Sequence, residues 1–170
     1  MTDVERLREE LYAWCGRNPA CKRAVDYYIM LLQNPCYPPS DKMTYKKRRF
    51  YMEIIKKHGL PPRCDVRKLV EERLRGTALE KYVGEIAELA ELARKKLHVA
   101  SRTAAAAATV VVAEWHGRRV VYNNIAALFG VSYVTVRTWL KAVHALYVDV
   151  IVARNMRQWL DARRSAQTGT

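Results

Sequence analysis

The chain has 170 residues, half of them hydrophobic, and its 30 Lys and Arg against 17 Asp and Glu give a formal net charge of +13. This composition can form a sizeable core, and the charge favours a polyanion, nucleic acid before an anionic membrane surface. No apolar run approaches the roughly 18 residues of a membrane span, and the N-terminal MTDVERLREEL lacks a signal-peptide core. We therefore expect an intracellular, nucleoid-associated protein without a membrane partner, or one packaged inside a virion.

The cysteines all lie in the first 64 residues, at Cys15, Cys21, Cys36 and Cys64. None forms a C-x-x-C pair, so the pattern gives little support to a structural zinc site. Two loop-closing disulfides, Cys15 with Cys21 and Cys36 with Cys64, are one interpretation. Because intracellular disulfides are unusual outside hyperthermophiles, we favour buried or free thiols unless the source is such an organism.

Apolar residues at helical spacing predict three helices in residues 1–64, which we assign to a helical, basic N-terminal region. The first covers VERLREELYAW, the second runs from about Ala20 to Gln33, and the third is DKMTYKKRRFYMEIIKKHG, which Ser40 or Asp41 can cap. The loop NPCYPPSD separates the second from the third, and HGLPPRC follows the third. The latter segment is the candidate domain boundary.

The third of these helices carries a dense basic run, consisting of Lys46, Lys47, Arg48 and Arg49. Aromatic residues interleave it, a pattern typical of helices that contact nucleic acid. Charge runs are more often solvated faces, so phosphate contact and simple solvation both stay open.

A second region, residues 65–164, begins with three more helices, in DVRKLVEERLRG, ALEKYVGEIAELAELARKKL and SRTAAAAATVVVAEW. The last of these is almost entirely apolar from Ala104 to Ala113, so we expect a central helix buried on every side. The apolar residues of the segment 147–164 predict one more helix, with Trp159 and Leu160 on its apolar side. Residues 165–170, SAQTGT, are expected to form a disordered tail.

The segment between Arg118 and Leu146 has the spacing of a helix-turn-helix. Ala126 must be small where the second helix crosses the first, and Gly130 suits a left-handed turn. Ile125 and Phe129 also fall at the spacing of the motif, and the wedge between the helices is filled by Val131, Val136 and Trp139. Two ordinary packed helices joined by a glycine are the alternative.

Turning 100° per residue from a buried Val136 places Val134, Thr138 and Lys141 on the outer side of the second helix, flanked by Arg137. Ser132 is the expected N-cap, Arg137 suits guanine, and Val134 and Thr138 suit thymine methyl groups. Phosphate contacts are assigned to Lys141, Arg118 and Arg119, whereas Tyr133 either stacks on a sugar or, as we favour, is half-buried. No catalytic constellation, cofactor motif or metal cluster is apparent, so we do not expect an enzyme.

These segments resemble a cyclin repeat, in particular the second repeat of the archaeal and eukaryotic general transcription initiation factor B (factor IIB). The similarity covers about residues 65–146. SRTAAAAATVVVAEWHGRR stands where that family has a small-residue-rich helix and a short charged turn, and IAALFGVSYVTVRTWLKAV is similar to its helix-turn-helix. The resemblance implies an all-α, five-helix cyclin-like repeat, here with an N-terminal helical region and a C-terminal helix added.

The sequence departs from that family in two respects. Val121 occupies the position of a Thr or Ser helix cap, and residues 1–64 contain neither the zinc ribbon nor the first cyclin repeat. The resemblance therefore does not imply contact with RNA polymerase, whereas it does imply DNA binding through the helix-turn-helix.

The sequence thus predicts a double-stranded DNA-binding protein of transcription-factor type. The main alternative is a sequence-independent DNA-coating or packaging protein, a chromatin or viral nucleoprotein that forms a homo-oligomer or filament on DNA. A weaker one is a protein-binding cyclin box.

Overall fold

The structure, a computed structural model, describes residues 1–39 and 42–169. Among these residues it contains helices and turns but no strand, so the prediction of an all-α fold is confirmed. The chain divides into two compact units, Met1–Cys64 and Asp65–Thr170, which we call unit 1 and unit 2.

Unit 1 contains three helices, α1 (Asp3–Cys15), α2 (Pro19–Gln33) and α3 (Tyr45–His58). Thr2 and Glu5 form a reciprocal capping box on α1, and the Asn18 side chain caps α2 just before Pro19. Helix α3 begins later than predicted, because the Thr44 hydroxyl accepts a hydrogen bond from the Lys47 amide. The predicted caps Ser40 and Asp41 lie outside the described residues.

The core of unit 1 is small, so covalent links matter to it. It consists of Leu11, Ala24, Val25, Tyr28, Ile29 and Ile54. Disulfides join Cys15 to Cys21 and Cys36 to Cys64, with Cα–Cα distances of 5.5 and 4.6 Å. The favoured expectation of free thiols is therefore wrong: the turn after α1 and the segments flanking α3 bring each pair within bonding reach.

Unit 2 contains α4 (Val66–Leu74), a 3-10 turn (Glu80–Tyr82), α5 (Val83–Leu97), α6 (Ser101–Trp115), α7 (Tyr122–Leu128) and α8 (Tyr133–Thr168). Helix α6 packs against α4, α5, α7 and α8, and every residue from Thr103 to Ala113 is buried, as predicted. Thr109 is tolerated there because its hydroxyl donates a hydrogen bond to the Ala105 carbonyl at 2.7 Å. The central position of α6 fixes where α7 and α8 can dock.

Helix α8 is one uninterrupted helix of 36 residues. The separate C-terminal helix predicted after Leu146 is therefore wrong: these residues belong to α8, which continues through Thr168. Thr170, the last residue of the predicted tail, lies outside the described residues. No Gly or Pro interrupts residues 133–168, so nothing in the backbone ends the helix earlier. Beyond Arg154 the side chains are exposed, including the apolar Met156 and Trp159.

None of the helices in the described part of the chain is sufficiently long and apolar to cross a membrane.

Candidate nucleic-acid interface

Helices α7 and α8 meet at a tight corner built on buried apolar side chains. Ile125 and Ala126 of α7, Phe129 of the turn, and Val136 and Val143 of α8 are all buried. Of the residues predicted to fill the wedge, Val136 is buried and Val131 is half-buried. Trp139, also expected there, is only half-buried. The corner holds the first turns of α8 at a fixed angle to α7.

The turn between α7 and α8 depends on a left-handed glycine. Gly130 has φ of 65°, and the amides of Gly130 and Val131 donate to the carbonyls of Ala127 and Ala126 at 3.1 and 2.9 Å. The Gly130 carbonyl in turn accepts a hydrogen bond of 2.8 Å from Arg102 Nη1, at the start of α6. The turn is thereby fixed to the central helix.

The first turns of α8 expose a continuous edge. Val134 is 69% exposed, and Arg137, Thr138 and Lys141 are exposed beside it. The Thr138 hydroxyl donates to the Val134 carbonyl at 2.8 Å, which leaves its methyl group as the part best suited to an apolar contact. This edge therefore presents two cations, a valine and a methyl group, with no acidic side chain on α8 before Asp149.

Ser132 and Tyr133 begin this edge. The Ser132 hydroxyl accepts a hydrogen bond of 3.1 Å from the Thr135 amide, so the exposed Ser132 is the N-cap, as expected. The Tyr133 ring is half-buried against the Tyr122 ring, with centroids 6.1 Å apart. This start of α8 carries no acidic residue in its first turn, which suits an anion at the helix N-terminus.

The loop before α7 carries the other predicted phosphate contacts, Arg118 and Arg119, both exposed. The Arg118 side chain bonds to the hydroxyl of Tyr82, and this bond lowers the pKa of the Tyr82 phenol. Val121 provides no side-chain cap for α7. Arg118 is thus held against the 3-10 turn, while Arg119 extends into solvent.

A polar cluster that sequence reasoning missed holds this loop to the core of unit 2. Glu85 of α5 accepts a hydrogen bond of 2.5 Å from the buried Tyr147 hydroxyl of α8, and its Oε2 lies 2.9 Å from His116 Nε2. Tyr82 stacks on His116 with ring centroids 4.4 Å apart. No local pattern in the sequence reveals this cluster, because 31 and 62 positions separate Glu85 from its partners.

The charges in this cluster are set by burial and hydrogen bonding. Burial opposes ionisation of Glu85, but hydrogen bonds from His116 and Tyr147 outweigh it and lower the pKa of that carboxyl group. Burial and the bond to Glu85 raise the pKa of the Tyr147 phenol. Trp115 is 44% exposed and forms a T-shaped ring contact with Tyr147. The cluster positions the loop.

The basic run of unit 1 is divided between solvent and core. Lys46, Arg48 and Arg49 are exposed on α3, whereas Lys47 is only 3% exposed, with its ammonium group 4.9 Å from the centre of the Tyr27 ring. The prediction of a phosphate contact at Lys47 is therefore wrong. Lys47 lies seven residues before the buried Ile54, on the side of α3 that packs against α2.

Among the described residues, no group of His, Cys, Asp and Glu side chains is arranged to hold a metal ion. Comparison with protein-family models, with curated proteins and with solved structures finds no match to this chain.

Proposed function

We propose that the protein binds double-stranded DNA as a transcription-type factor, with the N-terminal turns of α8 in the major groove. The observation that carries this proposal is the exposed edge of Val134, Arg137, Thr138 and Lys141 on a helix anchored by a buried corner. The short outer side chains allow close approach to base edges, and Arg137 can bond guanine O6 and N7.

The surroundings of this edge fit the same role. Residues 101–170 hold nine Lys and Arg but only three Asp and Glu, and of those Glu114 accepts a hydrogen bond of 2.7 Å from Tyr122. Lys141 within the edge, and Arg118 and Arg119 in the loop before α7, are the proposed phosphate contacts. The five helices α4–α8, of which α6 is central, are consistent in number with the cyclin-like repeat that the resemblance to factor IIB implies, and we include that repeat in the proposal.

A DNA-coating role is the second candidate, because exposed cations also occur far from α8 in the chain. Lys46, Arg48 and Arg49 of α3 are exposed, and such contacts bind any duplex alike. A coat protein would use Arg137 as one more phosphate contact rather than as a base reader.

Selection of sites from a random duplex library, followed by binding measurements on Arg137→Ala, separates the two functions. A transcription-type factor should enrich a motif, prefer it roughly a thousandfold over random duplex, and lose about 1–3 kcal/mol of discrimination at one position in the variant. Arg157→Ala, which removes the same charge from an exposed position farther along α8, should retain the discrimination. No enriched motif, together with regular filaments in electron micrographs and equal losses on every sequence, would replace this proposal with the coat function.

A further inference from the structure

The outer side of α3 in unit 1 presents aromatic or apolar and cationic side chains in alternation. Tyr45, Arg49, Met52 and Lys56 follow one another at intervals of four, three and four residues, so they form one line along the helix. Tyr45 is 84% exposed and Met52 is 54% exposed. The opposite side of α3, with Lys47 and Ile54, is buried. The line faces outward because the packing of α3 against α2 fixes the rotation of the helix.

This line borders a shallow groove of about 470 Å³. The groove is lined by Tyr45, Arg48, Arg49, Met52, Glu53, Ile55 and Lys56. Its volume is in the range of natural small-ligand sites, and much of its surface is a phenol ring, a thioether and the aliphatic stems of the cations. Such a surface suits a flat apolar group rather than water alone.

The charge of the groove selects an anionic ligand. Arg48, Arg49 and Lys56 face a single acidic neighbour, Glu53, and in the described part of the chain none of the three cations forms an ion pair. Three cations beside a single carboxylate attract a polyanion. Successive residues of the line are about 4.5–6 Å apart along the helix axis, so ring, cation, thioether and cation alternate at short intervals.

We propose that this α3 groove binds single-stranded nucleic acid, with an unpaired base stacked on Tyr45 and backbone phosphates bound by Arg48, Arg49 and Lys56. Exposed aromatic rings in a basic groove are the usual means of holding single strands without sequence preference. In a duplex the bases stack on each other, so no base face is free to cover Tyr45 and Met52. The site lies in unit 1 and is separate from the duplex-binding edge proposed on α8.

The test uses the full-length oxidised protein and two fluorescent probes, a 12-nucleotide oligothymidine and a 12-base-pair duplex of random sequence. Tyr45→Ala should weaken binding of the single strand about 5- to 150-fold, the range for loss of one stacked base, and change duplex binding less than twofold. Tyr45→Phe keeps the ring and should bind the single strand like the parent. The Phe variant shows whether the ring without its hydroxyl is sufficient, and the circular dichroism spectrum of Tyr45→Ala shows whether that variant keeps the fold.

A matched pair of charge variants tests the phosphate contacts. Arg49→Gln with Lys56→Gln removes two cations from the groove, whereas Lys46→Gln with Lys57→Gln removes two from the same helix about 100° away. A plot of the logarithm of single-strand affinity against the logarithm of salt concentration should lose up to about 1.4 of its slope in the first pair. The second pair should change the slope much less.

Equal losses for single strand and duplex in Tyr45→Ala would overturn the proposal and make α3 a duplex-backbone contact. No loss for either probe would also overturn it and leave the groove to a protein partner. Failure of the proposed duplex function is recognised separately, because it would appear as an absence of duplex selection and as no effect of Arg137→Ala.

Discussion

Tyr147 and Tyr122 make chemically similar hydrogen bonds in different surroundings. Tyr147 is buried and donates to Glu85 at 2.5 Å, whereas Tyr122 is half-buried and donates to Glu114, which is exposed, at 2.7 Å. A bond to a charged acceptor contributes more where neither partner can turn to water instead. The two tyrosines therefore provide a matched comparison within unit 2.

We predict that Tyr147→Phe lowers the free energy of unfolding by about 1.5–3 kcal/mol, the usual value for a hydrogen bond to a charged group. Tyr122→Phe should cost less than about 1 kcal/mol, because water replaces the lost partner. Urea denaturation at pH 7 measures both. Equal costs would mean that water reaches Glu85 as freely as it reaches Glu114.

The hydrogen-bonded pair of Glu85 and Tyr147 predicts how stability depends on pH. The pKa of Glu85 is below its ordinary value of 4.5, so its contribution is present above about pH 4.5 and is lost as the pH falls through the folded-state pKa. The pKa of Tyr147 is above its ordinary 10.0, so its contribution is present below pH 10 and is lost as the pH rises further. Tyr147→Phe should reduce the alkaline loss, which denaturation between pH 9 and 11 would detect.

Lys47 illustrates the limit of prediction at this scale. The four consecutive cations of the basic run look equivalent, but a helix turns each one to a different side. Ile54, seven residues later, is buried, and Lys47 lies on the same side of the helix. The aliphatic stem of Lys47 is covered, and its ammonium group lies over the Tyr27 ring. Helical rotation counted from Ile54 would have placed Lys47, but not Lys46, Arg48 or Arg49, on the buried side of α3. The Glu85 cluster had no such local signal, because tertiary packing alone brings its members together.

The α7–α8 corner was predictable because its constraints are local. A small residue, a glycine at positive φ and a wedge of apolar side chains at fixed spacing specify the turn before any distant contact forms. The full extent of α8 was missed because the motif ends near Leu146, although no Gly or Pro follows until Gly169. Absence of a helix-breaking residue was a better guide there than the end of the motif.

We predict that Gly130→Val destabilises the protein by about 1–3 kcal/mol, since a β-branched residue is strained at φ of 65°. Gly84→Ala is the control, because Gly84 lies in α5, has negative φ and has no atom within 4 Å of an added Cβ. The control should be neutral or stabilising by up to about 1 kcal/mol. If the thermal denaturation midpoint of Gly130→Val equals that of the parent, the turn does not require a left-handed residue.

The two units should differ in their response to reducing agents. Both disulfides lie in unit 1, and the described part of unit 2 contains no cysteine. In the chain-entropy model, the bridge across 28 residues contributes about 3.5 kcal/mol and the bridge across 6 residues about 2 kcal/mol. A core as small as that of unit 1 cannot readily replace these contributions.

We predict that reduction removes amide-exchange protection from residues 1–64 and leaves α5 and α6 protected. Hydrogen exchange read by mass spectrometry of proteolytic fragments locates the change. Cys15→Ser with Cys21→Ser, which retains the longer bridge, should lose less protection than Cys36→Ser with Cys64→Ser. Loss of protection in α6 on reduction would show that the two units do not hold their structure independently.

The alanines of α6 also affect how the fold responds to temperature. Each residue from Ala104 to Ala108 buries its peptide group but only one methyl group, so this helix removes little hydrocarbon surface from water for its length. Exposed hydrocarbon raises the heat capacity of the unfolded chain, whereas exposed peptide lowers it. The heat capacity of unit 2 should therefore increase on unfolding by less than the usual value of about 12–15 cal/mol/K per residue. Its stability curve is correspondingly broad, and cold and heat weaken it more gradually than they weaken a domain with a leucine core.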